Sequence, residues 1–195
     1  MNLPNFLSEL FLSLSGFLVY YIFPRKLRFV DSILWGTFIV SVSITSFCSA
    51  LYFAGVPSME LWHDFFKNIG SSIGIVLLVM GIYSLVMKHS FSKKTVFTVF
   101  LMGLSLVFLS MFLKQDKLLE FLPLVGILIA LLFGIFALIK KKSKLGIYLL
   151  LATLFSILAN TFGLLELPIN PLTTYCVLLS LVLLCFGLAA NQERH

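Results

Sequence analysis

Charged residues are scarce in this chain, and their scarcity excludes a water-soluble globule. Only 11% of the 195 residues are charged, whereas 60% are hydrophobic. A soluble domain carries about 25% charged and about 45–50% apolar residues. A chain this apolar has too little polar surface to cover its core in water. We therefore predict that residues 1–195 form a single all-α transmembrane domain.

Cysteine is also rare, and its placement argues against redox chemistry. The three cysteines lie inside apolar runs and form no C-x-x-C pair: Cys48, Cys176 and Cys185. An odd number of thiols at membrane depth is not a disulfide framework. We predict that they are small buried apolar side chains.

Histidine is too sparse and too scattered for an ordinary zinc enzyme. A catalytic zinc takes about three protein ligands, mostly histidines. This chain has only His63, His89 and the terminal His195. They cannot converge, because the topology predicted below places His89 and His63 on opposite sides of the membrane, and His195 is the last residue. The sequence also has no P-loop and no dinucleotide-binding glycine pattern. We therefore predict no metal and no other cofactor.

Long apolar runs are what the chain does have. A helix needs about 20 apolar residues to cross a bilayer core of about 30 Å, and seven runs meet that length. They cover residues 6–23, 32–54, 69–87, 95–113, 121–139, 145–163 and 172–190. They lack the alternation of a membrane strand. The expected architecture is a seven-transmembrane-helix bundle in which short loops make successive helices antiparallel neighbours.

The cations predict the orientation of this bundle. With seven spans, one end receives eleven of the fourteen Lys and Arg residues: Arg25, Lys26, Arg28, Lys88, Lys93, Lys94, Lys140, Lys141, Lys142, Lys144 and Arg194. The other end receives Lys67, Lys114 and Lys117. Cationic loops stay in the cytoplasm, which places the N-terminus outside and the C-terminus inside. Because the cations do not form a face interleaved with aromatics, we predict no nucleic-acid partner.

Glycine stripes predict close helix packing. The third run contains Gly70 and Gly74 in a G-x-x-x-G, then Gly81. The fifth contains Gly126 and Gly134 around a small alanine. Small residues let membrane helices approach closely. The stripes serve packing within the chain or, alternatively, a homo-oligomer. Trp35 and Trp62 are expected near the inner and outer interfaces, where amphipathic rings prefer to lie.

Polar residues at membrane depth are costly and are therefore functional candidates. Tyr52 on the second run and Asn160 on the sixth are such residues, and we expect Asn160 to have a partner. Glu9 and Asn170 lie near the outer helix ends as candidate ligand-binding groups.

Ser49, His63 and Asp64 are the catalytic candidates, since they offer the residue types of a hydrolase triad. Adjacent helical residues point about 100° apart, so we expect His63 and Asp64 to suit a base and its orienting group poorly. The alternative for Asp64 is a solvated helix end, where Glu60, Asp64 and Lys67 have helical i, i+4, i+7 spacing and their opposite charges would pair in water.

Three short segments resemble the CREST superfamily, which includes alkaline ceramidases and bacterial seven-helix relatives. The segment at residues 8–13, Ser-Glu-Leu-Phe-Leu-Ser, is similar to the ceramidase segment whose Glu helps bind a metal. Ser49 precedes Asp64 by the family's spacing of fifteen residues. Asn170 and Tyr175 resemble part of the bacterial relatives' N-H-N-D-x-Y-H segment. The resemblance implies seven spans with an outer N-terminus and adds Tyr175 to the ligand-binding candidates.

The family's imidazole ligands are missing here. The histidine expected four residues after Ser49 is Phe53, and those of the last helix fall on Pro171 and Cys176. The resemblance then implies a degenerate relative that kept the scaffold and lost the ordinary zinc site.

Three functions remain open from the sequence. The first is a non-enzymatic bundle that binds lipid or a hydrophobic small molecule, with membrane lipids as partners. The second is a CREST-like lipid hydrolase with an altered, histidine-poor site. The third is a small-solute transporter. Short loops without glycosylation-rich segments favour a bacterial inner membrane as its location.

Overall fold

The structure is a computed structural model that describes residues 2–113, 117–162 and 170–192. The described residues form seven helices and no strand, as expected of an all-α protein. The helices are α1 Leu3–Ile22, α2 Phe29–Phe53, α3 Met59–Met87, α4 Lys93–Leu113, α5 Lys117–Ile139, α6 Ser143–Phe162 and α7 Pro171–Asn191. Lys114, Arg194, His195 and the Lys117 side chain lie outside what the structure describes.

Six of these helices are long and apolar enough to cross a membrane, and α4 is the one outside that set. Many large apolar side chains on them are exposed, among them Leu18, Phe97 and Leu132, each with more than half of its surface accessible. A soluble protein rarely exposes apolar surface on this scale. The fold is therefore compatible with an integral membrane protein whose outer surface faces lipid.

Helix α3 differs most from its predicted extent. It begins at Met59, ten residues before the apolar run, because its first turns are amphipathic and a hydropathy window does not detect them. Gly70–Gly74 form a single π-helical turn inside it. Such turns insert a local irregularity into an α-helix and are frequent at functional sites. Glu60, Asp64 and Lys67, whose spacing predicts a helix end, therefore lie on the first turns of α3.

Helix α1 packs between α2 and α7, and hydroxyl groups tie it to α7. Ser8 Oγ lies 2.8 Å from Thr173 Oγ1, and Ser15 Oγ donates to Ser180 Oγ at 2.9 Å. Interhelical hydrogen bonds of this kind each contribute about 0.6 kcal/mol in a membrane protein. The contact brings the two ends of the chain together and closes the bundle.

Glycines on α3 make its close contact with α2. A Cβ added at Gly74 would lie 3.1 Å from the Phe38 Cα, and one at Gly81 would lie 3.1 Å from the Trp35 Nε1. The stripe on α3 is thus used within the chain. Trp35 has no exposed surface, so its indole is buried in the core of the bundle. The absence of a side chain at Gly81 makes the space for the indole in the core.

Candidate ligand cavity

A cavity of about 1010 Å³ opens into the bundle at the end that carries Glu9 and Asp64. Among the described residues, six helices line it and α4 contributes none of the lining. The volume lies at the upper limit of the about 300–1,000 Å³ that small-molecule pockets occupy. The cavity extends along α3 from Leu61 to Val79, a rise of about 27 Å at 1.5 Å per residue.

A buried carboxyl group forms the centre of the polar part. Glu9 on α1 is only 8% exposed. The Ser46 and Ser49 hydroxyls on α2 are placed to donate hydrogen bonds to it, and His63 on α3 is close enough to interact with it electrostatically. A carboxyl group is buried at low cost only when partners of this kind are present. Glu9 is therefore held in place by two neighbouring helices.

His63 and Asp64 form a pair beside this carboxyl group. Their Nδ1 and Oδ1 atoms lie 3.1 Å apart, and both residues line the cavity. The expectation that adjacent helical positions suit such a pair poorly was wrong. The Cα–Cβ directions do diverge, but both side chains are long enough to curve towards each other at a partly exposed helix surface. The pairing leaves the His63 Nε2 available to a ligand.

The rest of the lining is largely apolar and deep. Leu12, Leu78, Val182 and Phe186 all line the cavity and are at most 5% exposed. Ala130 on α5 contributes a small side chain to the same wall. The cavity therefore has a polar end and an apolar interior, as an amphiphilic ligand requires.

The remaining candidate residues divide into two groups. Asn160 and Tyr175 line the cavity. Asn160 has the partner that the sequence predicts, but this partner is a carbonyl of the same helix: the Asn160 Nδ2 donates to the Ser156 O at 2.8 Å. The Asn160 side chain is not buried. Tyr52 and Asn170 are not among the residues that line the cavity.

Tyr52 and Asn170 instead have positions that suit structural roles. Tyr52 is 42% exposed and packs edge-on against Phe53. Asn170 caps α7 by accepting from the Leu172 N at 3.0 Å, and its Nδ2 donates to the Asn5 Oδ1 at 2.9 Å. The capping bond satisfies one of the free amides of the first turn.

Sequence reasoning missed Ser46 and the π-helical turn. Ser46 lies three residues before Ser49, one turn away on the same face of α2, and helical spacing was the signal available for it. The π-helical turn contributes Gly70 and Ser71 to the cavity wall, and no composition rule reveals such a turn. Lys67, expected only in a solvated pair, also lines the cavity.

Among the residues described, no three His, Cys, Asp or Glu side chains are grouped closely enough to hold a metal ion. The three cysteines are free and buried. Comparison with protein-family models, with curated proteins and with solved structures found no match.

Proposed function

We propose that this protein is a non-enzymatic, seven-span membrane bundle that binds a lipid or a hydrophobic small molecule in the cavity beside Glu9. One observation supports this most strongly: a cavity of about 1010 Å³ combines a buried carboxyl group at one end with deep apolar walls. Membrane lipids are the nearest source of such amphiphiles. The proposal needs no metal, cofactor or nucleic acid.

The chemistry around Glu9 suggests which head groups fit. A carboxyl group accepts hydrogen bonds in either protonation state. Two carboxyl groups, Glu9 and Asp64, face the cavity against one lysine, Lys67. Hydroxyl, amide N–H or ammonium groups therefore suit the polar end better than a carboxylate does. We propose an amphiphile with a donor-bearing head group and a single long chain or a compact apolar body.

Blocking the cavity tests the proposal directly. Ala130→Phe fills the deep wall, whereas Leu128→Phe adds bulk on the same helix at a position that is 55% exposed. A long-chain amine such as sphingosine should raise the thermal midpoint of the wild type and of the Leu128 variant in detergent. It should not raise that of the Ala130 variant. An equal shift in both variants would place the ligand outside the cavity.

Charge removal tests the polar end. Glu9→Gln should weaken sphingosine binding at least tenfold, because a buried charge-assisted hydrogen bond contributes about 1.5–3 kcal/mol. Glu60→Gln is the matched control, since Glu60 is exposed and is not among the cavity-lining residues. A fatty acid of the same chain length should bind the wild type more weakly than the amine. Preference for the fatty acid would contradict the proposed role of Glu9.

We also propose that α4 is the seventh span, that the N-terminus is outside and that the membrane is a bacterial inner membrane. The distribution of Lys and Arg supports the orientation. Exposed serines near each end allow a test: Ser58→Cys on the Glu9 side and Ser143→Cys on the lysine-rich side. In intact cells an impermeant maleimide should label the first and not the second. Labelling of the second alone would reverse the orientation.

A CREST-like lipid hydrolase with an altered site is the second candidate. It is favoured by the approach of His63 and Asp64 at the cavity and by the interaction of Ser49, which is not itself a lining residue, with Glu9. His63 would act as the general base for water that attacks an amide or ester carbonyl. His63→Asn should then abolish release of fatty acid from an N-acyl amine and leave binding intact. No release by the purified wild type would exclude this candidate.

A small-solute transporter receives the least support. The cavity ends near Val79 on α3, and the next turn contains Gly81, against which the buried Trp35 indole packs. Leu34 and Ile82 are fully buried at the same level. A polar route through the described part of the bundle would have to displace this layer. A homo-oligomer stays a prediction. Its interface would have to form on α5 or on another lipid-exposed helix surface.

A further inference from the structure

A second cavity lies at the opposite end of the bundle and is lined by cations. Its volume is about 620 Å³. Arg28, Lys88, Lys141, Lys142 and Lys144 line it, and none of its lining residues in the described chain is acidic. Asp31 pairs with the Arg28 Nε at 3.0 Å, which leaves the four lysines without a carboxylate partner in the described part of the chain.

Backbone geometry fixes two of these lysines at the cavity. Lys88 follows α3 and Lys141 follows α5, and both have left-handed conformations with φ of 56° and 59°. This position after a helix usually takes Gly or Asn, because other residues are strained there. Here two helices end in the same strained way, each on a lysine that lines the same cavity. Helix termination alone does not require lysine at either position.

Lys142 neutralises the negative helix end at this site. Its Nζ donates to the Leu85 O at 2.6 Å and to the Val86 O at 3.1 Å, both at the end of α3. Burial lowers the pKa of Lys142, and the neighbouring Lys88 and Lys140 lower it further. The ammonium groups are therefore crowded, and an anion between them would relieve their repulsion.

Helix α6 presents its positive end to the same cavity. Ser143, Lys144 and Leu145, its first three residues, line the wall. The amides of a first helical turn have no carbonyl partner within the helix. They add donors and a partial positive charge to a site that the lysines already make cationic.

We propose that this cavity binds a phosphate monoester, either as a lipid head group or as a free phosphate group. Lysine ammonium groups and helical amides are both common phosphate ligands. A doubly charged anion matches four lysines that have no carboxylate partner among the described residues better than a single carboxylate does. A volume of about 620 Å³ is larger than a phosphate group alone needs, and a lipid head group would fill more of it.

Ligand selectivity is the first test and uses the unaltered protein. Detergent-solubilised wild type is incubated with phosphatidic acid and, separately, with phosphatidylcholine of the same chains, and retention is measured by native mass spectrometry. At least tenfold stronger retention of phosphatidic acid is expected. Equal retention overturns the proposal. Competition by inorganic phosphate at millimolar concentration identifies the phosphate group alone as sufficient, and displacement only by a short-chain phosphatidic acid identifies a lipid site.

Matched variants separate this cavity from general surface charge. Lys88→Asn with Lys141→Asn removes two cations and keeps residues that tolerate the left-handed backbone. Lys93→Asn with Lys94→Asn removes the same charge at the start of α4, outside the lining. The first pair should weaken phosphatidic acid binding at least ten times more than the second. Equal losses in two folded variants would reduce the effect to surface potential and overturn the proposal.

Discussion

The contact between Lys142 and the end of α3 gives the sharpest prediction about stability. Lys142→Met keeps an unbranched chain of similar length and removes only the ammonium group. Two hydrogen bonds to helix-terminal carbonyls are lost, those to the Leu85 O and the Val86 O. The carbonyls of the last turn of a helix have no partner within that helix. Here the Lys142 ammonium group, from the loop between α5 and α6, is the donor that satisfies them.

The magnitude follows from these two bonds and the forces that oppose them. A hydrogen bond from a charged group contributes about 1.5–3 kcal/mol, so two bonds set an upper limit of about 6 kcal/mol. Burial and the repulsion from Lys88 and Lys140 offset part of this gain, as the lowered pKa of Lys142 indicates. We expect a net loss of about 2 kcal/mol in the free energy of unfolding. For a chain of this size that is a fall of roughly 4–8 °C in the thermal midpoint.

Unfolding in detergent, followed by circular dichroism, measures this loss. Lys144→Met is the control, because Lys144 is exposed two residues further along, in the first turn of α6, and such surface changes usually stay within about 0.5 kcal/mol. Lys142→Arg should recover part of the stability, since a guanidinium group also donates to carbonyls. If Lys142→Met is no less stable than Lys144→Met, the contact between the loop and α3 contributes nothing and the reasoning fails.

Three further outcomes are expected. The pKa of Lys142 lies below its ordinary value of 10.5, so between the folded and unfolded pKa values the unfolded chain binds more protons. The stability of the wild type relative to Lys142→Met should therefore rise as the pH rises towards 10.5. A fall in that relative stability would contradict the sign. Gly74→Leu should lower the free energy of unfolding by about 1–3 kcal/mol, because the new side chain overpacks against α2. Val76→Leu, at a position that is 38% exposed, should be near neutral in the same unfolding assay. Trp35→Ala should lower the free energy of unfolding by about 3–5 kcal/mol. Trp35→Phe should lower it less, because the Trp35 Nε1 has no hydrogen-bond partner among the described residues. Equal losses of stability in the two variants would show that the N–H group matters.

The all-helical fold and the approximate positions of the helices could be predicted from the sequence, because they depend on local composition. Each apolar run is bounded by charge, proline or glycine and overlaps one helix of the described structure, and six of these helices are long and apolar enough to cross a membrane. The boundaries were less accurate where a helix continues into amphipathic sequence. Met59–Ile69 shows this best, because its hydrophobic face alternates with charged residues and lowers the mean hydropathy.

The candidate site could be predicted only in part. Glu9, His63 and Asp64 stood out as polar residues near helix ends, and antiparallel packing placed them at one end of the bundle. The hydrogen-bonding role of Ser46 depends on which face of α2 meets α1. The approach of His63 to Asp64 depends on side-chain torsions that helical spacing does not determine.

By itself the sequence determined an all-helical chain with long apolar helices, because hydropathy and charge act over single segments and need no knowledge of neighbours. Only the tertiary structure decided where the bundle is hollow and where it is filled. Trp35 is in the core because Gly81, on another helix, leaves space for it. The two cavities arise in the same way, since each is enclosed by residues far apart in the chain whose distances no local pattern encodes.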